Sequence, residues 1–141
     1  ELSELVENCL QIMQPLFKKE KITITNSVDF NRWILVDKNQ MEQVIINLLT
    51  NSMYALEDKE IKEITISAEV KEKRIYLIFT DTGTGIDAAI EDKIFLPFFT
   101  TRKDGAGIGL TLSKNIIESH GGYLAFENGE NQTKFTVCLL E

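Results

Sequence analysis

The chain predicts an α+β two-layer sandwich: a mostly antiparallel sheet with one wet face and three helices covering the other. Three observations carry that reading. Residues 63–71 alternate strictly, with Ile64, Ile66, Ala68 and Val70 against Thr65, Ser67, Glu69 and Lys71, the pattern of a strand with one solvated face. Apolar stripes at helical spacing recur over residues 3–20, 38–57 and 108–119 of the 141. The order is helix, two strands, helix, hairpin, long loop, helix, hairpin, which stacks helices on an antiparallel sheet.

Residues 3–20 form the first predicted helix, with Leu5, Cys9, Ile12, Met13 and Leu16 as its apolar stripe and Pro15 as an interior blemish that removes one hydrogen bond. Ile22–Thr25 alternates as a short strand, and Trp33–Val36 is a second. Asp37 then opens the clearest helix, spanning 38–57. Gln40 stands three residues on, as a capping box requires, and Val36 and Met41 flank the start as a hydrophobic staple. Met41, Val44, Ile45, Leu48, Leu49, Ser52, Ala55 and Leu56 make one broad core-facing stripe.

Glu72-Lys73 turns residues 63–71 into 74–81 as a hairpin. Ile75, Leu77, Phe79 and Asp81 share one face of the second strand, because side chains alternate with period two. Asp81 is thus aimed under a covering layer, which is costly unless something bonds to it. Residues 87–104 read as irregular, with a short helix near Ala88–Asp92 and a cluster of Phe95, Phe98 and Phe99 that is either ordinary core or the hinge or anchor of a mobile lid. Residues 108–119 form the third helix, stopped by Gly121-Gly122. Residues 123–127 and 134–140 are the last two strands, joined by a polar loop at 128–132.

Composition bounds the function. The hydrophobic content of 43% and charged content of 26% describe one globular domain. A net charge of −7 argues against nucleic acid as a partner. No run approaches the roughly 18 apolar residues of a membrane span. The first residues lack the basic start and apolar block of a signal peptide and lack a Met, so a piece of a longer polypeptide is expected. Cys9 and Cys138 read as reduced core residues of a cytoplasmic protein. His120, the single histidine, stands at a helix end where capping is its expected role.

Two glycine clusters, at Gly83 and Gly85 after Asp81 and at Gly105, Gly107 and Gly109 opening a helix, suggest an enclosed nucleotide. The second cluster is either a flexible hinge before a helix or an anion site, where free N–H groups and the positive end of a helix dipole meet. Its spacing is neither that of a dinucleotide-binding βαβ unit nor that of a Walker A loop. Asn47 and Asn51, spaced i,i+4, lie on one helix face. They are either solvated amides or oxygens aimed at a hard cation such as Mg²⁺. Arg102 and Lys103 are either solvated charges or counter-charges to a phosphate.

Together, Asn47–Asn51, Asp81-Thr82-Gly83-Thr84-Gly85-Ile86, Ile94–Arg102 and Gly105-Ala106-Gly107-Ile108-Gly109-Leu110 resemble the N, G1, F and G2 boxes of sensor histidine kinases, in order and over essentially the whole chain. The region resembled is the ATP-binding catalytic domain, of the Bergerat fold shared with heat-shock chaperone ATPases, type II topoisomerases and MutL repair proteins. It looks most like the nitrogen-regulation and sporulation-kinase branch. The resemblance implies a mixed, mostly antiparallel five-stranded sheet covered on one face by three helices, and ATP and Mg²⁺ as cofactors. Asp81 would bond the exocyclic amine of adenine, with Gly83 and Gly85 allowing close approach. Asn51 would ligate Mg²⁺ and Asn47 would support the metal or phosphates. Gly107, Ile108, Gly109 and Leu110 would offer N–H groups to the phosphates. Residues 95–105 would form a lid, mobile over 100–107 without nucleotide. Ile86, Phe99, Thr100, Thr101, Arg102 and Gly105 would line the nucleotide, and Asn47, Arg102 and Lys103 would act nearest the transferred group.

Some positions depart from the family. The last box reads Gln132-Thr133-Lys134-Phe135, without its glycine; Thr133 keeps a water-mediated adenine contact. Tyr54 stands where many relatives carry a Lys or Arg; it would stack on the nucleotide or bond a phosphate but supplies no charge. Hydrolysing relatives place a glutamate where Asn47 stands, and an amide cannot act as a base. The implied function is transfer of the γ-phosphoryl group of Mg-ATP to a histidine on a dimerisation domain of the same polypeptide, with a response regulator downstream. The isolated domain would be a monomer within a homodimeric kinase, itself free or membrane-anchored. The alternatives are an ATP-dependent switch, a serine-directed kinase resembling the anti-sigma factors, or a nucleotide-binding pseudokinase.

Overall fold

The computed structural model describes residues 2–28, 36–57, 59–83, 109–129 and 132–140. Among them run helix α1 (Leu2–Lys19), strand β1 (Thr23–Asn26), helix α2 (Lys38–Ala55), strands β2 (Glu63–Lys71) and β3 (Arg74–Asp81), helix α3 (Gly109–Ser119), and strands β4 (Tyr123–Gly129) and β5 (Gln132–Leu140). The five strands form one sheet in the order β1-β2-β3-β5-β4. Only the β1–β2 pair is parallel; the others are antiparallel. Helix α2 packs between α1 and α3, and the helices cover one face of the sheet. The predicted α+β sandwich is therefore present, mixed sheet included.

Period two places the core. In β3, Ile75, Leu77, Phe79 and Asp81 are buried and their neighbours are not. Phe135, Val137 and Leu139 of β5 join them beneath Met41, Val44, Ile45, Leu48 and Leu49 of α2. In β2 the alternation fades, and Val70 is exposed near the hairpin. The turn at Glu72 and Lys73 holds both residues at positive φ, 52° and 64°, the combination a two-residue hairpin turn requires.

The helix ends follow their sequence signals, with one change. Asp37 caps α2 by accepting the Gln40 N–H at 2.9 Å. The predicted reciprocal bond is replaced: the Asp37 N–H donates to His120 Nε2 at 3.1 Å. His120 Nδ1 lies 2.7 Å from the Ile116 carbonyl, which can only accept, so this ring carries its proton on Nδ1. His120 thus caps α3, as expected, and also ties α3 to the start of α2. Gly121, at φ 81°, ends α3 in a Schellman arrangement, with the Gly122 N–H donating to the Ile117 carbonyl at 3.1 Å.

Helix α1 departs from its predicted phase. Its buried face is Leu2, Leu5, Val6, Cys9, Leu10, Met13 and Phe17, while Ile12 and Leu16 are 58% and 44% exposed. Two overlapping stripes at helical spacing compete here, and the one carrying Phe17 and Leu10 buries more apolar area. Pro15 lies on the exposed side, where the Gln11 carbonyl left without its N–H partner can meet water. Strand β1 is shifted one residue from the predicted 22–25. The predicted extended stretch at 33–35 and the short helix at 88–92 lie outside the described residues, and Val36 occupies a bend. Strands β4 and β5 run on to a Gly129–Gln132 pair, so the predicted loop at 128–132 is mostly strand.

Both cysteines are buried and free, as predicted. Burial, with a smaller contribution from the nearby Glu42 carboxylate, pushes the Cys9 thiol up to about 11, which leaves it protonated and unreactive near neutral pH. Among the described residues no helix is long and apolar enough to cross a membrane.

Candidate nucleotide site

The site begins at the end of β3. Asp81 is 2% exposed, a carboxylate on the helix-covered face of the sheet. Thr82 anchors the chain immediately after it: its hydroxyl donates to the Ile61 carbonyl at 2.8 Å and accepts the Glu63 N–H at 3.1 Å. The backbone then turns so that the Gly83 N–H donates to Asp81 Oδ1 at 2.9 Å. That turn needs glycine. A Cβ on Gly83 would stand 2.8 Å from the Ala55 Cβ, the Ala55 carbonyl and Asp81 Oδ1 alike. The missing side chain lets the end of β3 slide under the last turn of α2.

Helix α2 closes the socket from above with Ser52, itself 2% exposed. Burial raises Asp81 above its ordinary value, while the Gly83 N–H and the Ser52 hydroxyl pull it back down. Strand β5 supplies the third wall. Thr133 pairs with Asp81 in the β3–β5 register, so both side chains project toward the helices from adjacent strands. Thr133 is 3% exposed, and among the described residues its hydroxyl has no hydrogen-bond partner. A buried carboxylate with lone pairs to spare thus lies beside a buried hydroxyl with no partner, the donor-and-acceptor set that an amino-bearing heteroaromatic base would satisfy.

Further along α2, the site opens toward the start of α3. Asn47 Nδ2 donates to the Gly109 carbonyl at 3.5 Å and to the Ser113 hydroxyl at 3.4 Å. Both distances are at the outer margin for hydrogen bonds. Asn47, Asn51, Gly109 and Leu110 are all partly exposed. Asn51 lies one turn beyond Asn47, and Tyr54 is exposed near the end of the helix. Among the described residues no three His, Cys, Asp or Glu side chains gather as a metal cage. A hard cation here would take an amide oxygen together with phosphate and water oxygens, a set that suits Mg²⁺.

Of the residues singled out in the sequence, the fold assembles two groups. Asp81, Gly83 and Thr133 meet at the sheet end, and Asn47 meets Gly109 at the helix start. Gly85, Ile86, Phe99, Thr100, Thr101, Arg102, Lys103, Gly105, Gly107 and Ile108, with the expected lid and its mobility, lie outside the described residues. Sequence reasoning missed two serines. Ser52 was visible only as a polar member of an apolar stripe, and Ser113, fully buried, broke the apolar pattern of α3 in the same way.

A family model described as histidine kinase-, DNA gyrase B- and HSP90-like ATPase matches residues 36–141, well over half of the chain. This chain belongs to that family. Its relatives include the C4-dicarboxylate transport sensor protein DctB of Rhizobium meliloti, 34% identical over 98% of this chain and 22% of DctB. The sensory histidine kinase/phosphatase NtrB of Vibrio alginolyticus is 32% identical over 98% of this chain and 42% of NtrB, in keeping with the expected nitrogen-regulation branch. The chain thus spans less than half the length of these curated relatives. Among solved structures, the nucleotide-free catalytic domain of the histidine kinase ThkA superposes with a TM-score of 0.88 at 30% identity, covering 99% of this chain and 91% of that one. ThkA in complex with the response regulator protein TrrA superposes with a TM-score of 0.82 at 28% identity, covering 99% of this chain and 40% of that one. The fold is that of a histidine kinase catalytic domain, and residues 2–28, outside the family model, fall within the structural match.

Proposed function

We propose that this chain is the ATP-binding catalytic domain of a cytoplasmic, homodimeric sensor histidine kinase. It binds Mg-ATP and transfers the γ-phosphoryl group to a histidine of the dimerisation domain, from which a response regulator draws it. The observation that carries the reading is the buried pair of Asp81 and Thr133 on adjacent strands, one with spare lone pairs and one with an unpartnered hydroxyl. Asp81 accepts from the exocyclic amine of adenine. Thr133 bonds the base directly or through one water, which removes the cost of its unsatisfied hydroxyl.

At the other end, Asn51 would hold Mg²⁺ through its amide oxygen, and the ion would supply charge neutralisation at the phosphates. The N–H groups of Gly107, Ile108, Gly109 and Leu110, at the positive end of α3, receive the phosphate oxygens. Asn47 steadies this end through Gly109 and Ser113. Arg102 and Lys103 supply counter-charge near the γ-phosphate. Gly85, Ile86, Phe99, Thr100, Thr101 and Gly105 line the nucleotide, and Tyr54 borders it. The acceptor imidazole nitrogen attacks the γ-phosphorus, the bond to the β–γ bridging oxygen breaks, and ADP departs. Positioning and charge neutralisation do most of the catalysis in such a transfer. Asn47 cannot take a proton from water, which favours transfer to histidine over hydrolysis.

The test is to mix this domain with the histidine-bearing helix of its own polypeptide and radiolabelled ATP. Acid-labile, alkali-stable label on that helix is the expected result. Rapid ATP hydrolysis without acceptor, or binding without any transfer, would overturn the kinase reading in favour of a switch or a pseudokinase.

A further inference from the structure

Helix α3 holds the Asn47 amide at two points. Asn47 Nδ2 donates to the Gly109 carbonyl at 3.5 Å and to the Ser113 hydroxyl at 3.4 Å. The two acceptors are spaced i,i+4, so they lie one turn apart on a single face of α3. A carbonyl oxygen can only accept, so Gly109 decides which edge of the amide meets α3. The NH₂ group faces α3, and the amide oxygen lies on the opposite edge. Among the described residues both hydrogen bonds of Asn47 leave from Nδ2. The terminal torsion of an asparagine is broad and roughly two-fold, so one acceptor alone leaves the amide free to tilt. A second acceptor, one turn along the same helix, fixes its plane.

Ser113 is otherwise hard to account for. It is fully buried, on the side of α3 that also buries Ile116 and Ile117. A serine in a helix interior is less favourable than alanine, and its buried hydroxyl needs a partner. Asn47, reaching across from α2, is that partner. The amide packs directly on the start of α3, where a Cβ added to Gly109 would touch the Asn47 Cγ at 3.9 Å.

We infer that Ser113 is a positioning residue for the phosphate end of the site: acting through Asn47, it holds the amide with its oxygen turned away from α3, toward the half-exposed side of α2 that carries Asn51. The inference rests on the proposed seating of Mg-ATP between α2 and α3. A reversed amide would set its oxygen against the Gly109 carbonyl and turn its NH₂ group toward the cation, which takes oxygen ligands. Bonds of 3.4–3.5 Å restrain loosely on their own, and bonds of this kind tighten when a ligand closes a site. Ser113 touches neither the phosphates nor the cation in this account. Its effect passes through the orientation of one amide.

The experiment is calorimetric titration of ATP into the wild-type chain and Ser113→Ala, each with excess magnesium chloride and again with EDTA, with thermal unfolding of both proteins in parallel. The wild type is expected to bind ATP more tightly with Mg²⁺ than without it. Ser113→Ala is expected to lose about threefold to tenfold of that gain, the range of one hydrogen bond, while its affinity in EDTA holds. Its unfolding stays cooperative, because alanine adds no bulk and favours the helix. In an Asn47→Ala background the same substitution is expected to change the gain no further. An unmoved gain in Ser113→Ala, an equal loss with and without Mg²⁺, or an equal further loss in the Asn47→Ala background would overturn the inference. No gain from Mg²⁺ in the wild type would instead overturn the metal seat proposed for this end, and the inference with it.

Discussion

The two ends of the candidate site are built differently. The sheet end is a closed socket: Asp81, Ser52 and Thr133 are almost fully buried, the turn is locked by Thr82, and Gly83 is wedged against Ala55. The helix end is open: Asn47 and Gly109 are partly exposed and joined at 3.4–3.5 Å. The sheet end carries costs in the folded protein, a buried acid and an unpartnered hydroxyl, that a ligand would relieve. The helix end carries no such cost. A flat base of fixed shape suits the first kind of surface, and a flexible chain of phosphates with a hydrated ion suits the second.

The comparison breaks most readily at Gly83. Gly83→Ala forces a Cβ against Ala55 and Asp81 and is expected to cost about 1–3 kcal/mol, as overpacking does, with ATP binding lost as the socket opens. Urea unfolding measures the first effect, and wild-type stability would show that the approach of β3 to α2 is not tight. Thr133→Val should separate stability from binding. It removes a buried hydroxyl without a partner, so stability should hold or rise by up to about 1 kcal/mol, while affinity for ATP falls several-fold. A matching loss of stability would mean that the hydroxyl is already satisfied. Asn47→Ala is expected to change stability least, by under about 0.5 kcal/mol, because its bonds are long and half exposed. Its effect belongs in phosphotransfer, read from the rate of acceptor labelling at saturating ATP.

The sheet end also predicts a pH dependence. Burial holds Asp81 above its ordinary value in the folded chain. As pH rises through the interval between the unfolded and the folded value, the unfolded chain loses the proton first. Stability therefore falls across that interval, and is greater below it. Asp81→Asn should abolish this dependence, which chemical denaturation at a series of pH values would detect.

Much of this was legible in the sequence. Period two alone put Asp81 under the helices, Asp37 announced the start of α2, and Gly121-Gly122 announced the end of α3. These are local rules, and the structure keeps them. The sequence was silent where the partner is distant. Nothing near Asp37 says that its N–H will meet His120, 83 residues away. Thr133 belongs to β5 only because Asp81 extends the pairing of β3 past the apolar run, while the polar residues there give no periodic signal. In α1, two stripes satisfy the same spacing, and only packing against α2 decides between them. The long segment from 84 to 108 carries more than half of the site residues read from the sequence, and it lies outside the described residues.

The central claim is that the Asp81 carboxylate serves a ligand and not the fold. Calorimetric titration of ATP into Asp81→Asn, alongside its thermal unfolding at neutral pH, tests it most directly. The account predicts roughly 10- to 100-fold weaker binding, since a hydrogen bond to a charged group is worth about 1.5–3 kcal/mol, in a protein at least as stable as the wild type. Unchanged affinity for ATP, or a collapse of stability that accounts for the loss, would contradict it.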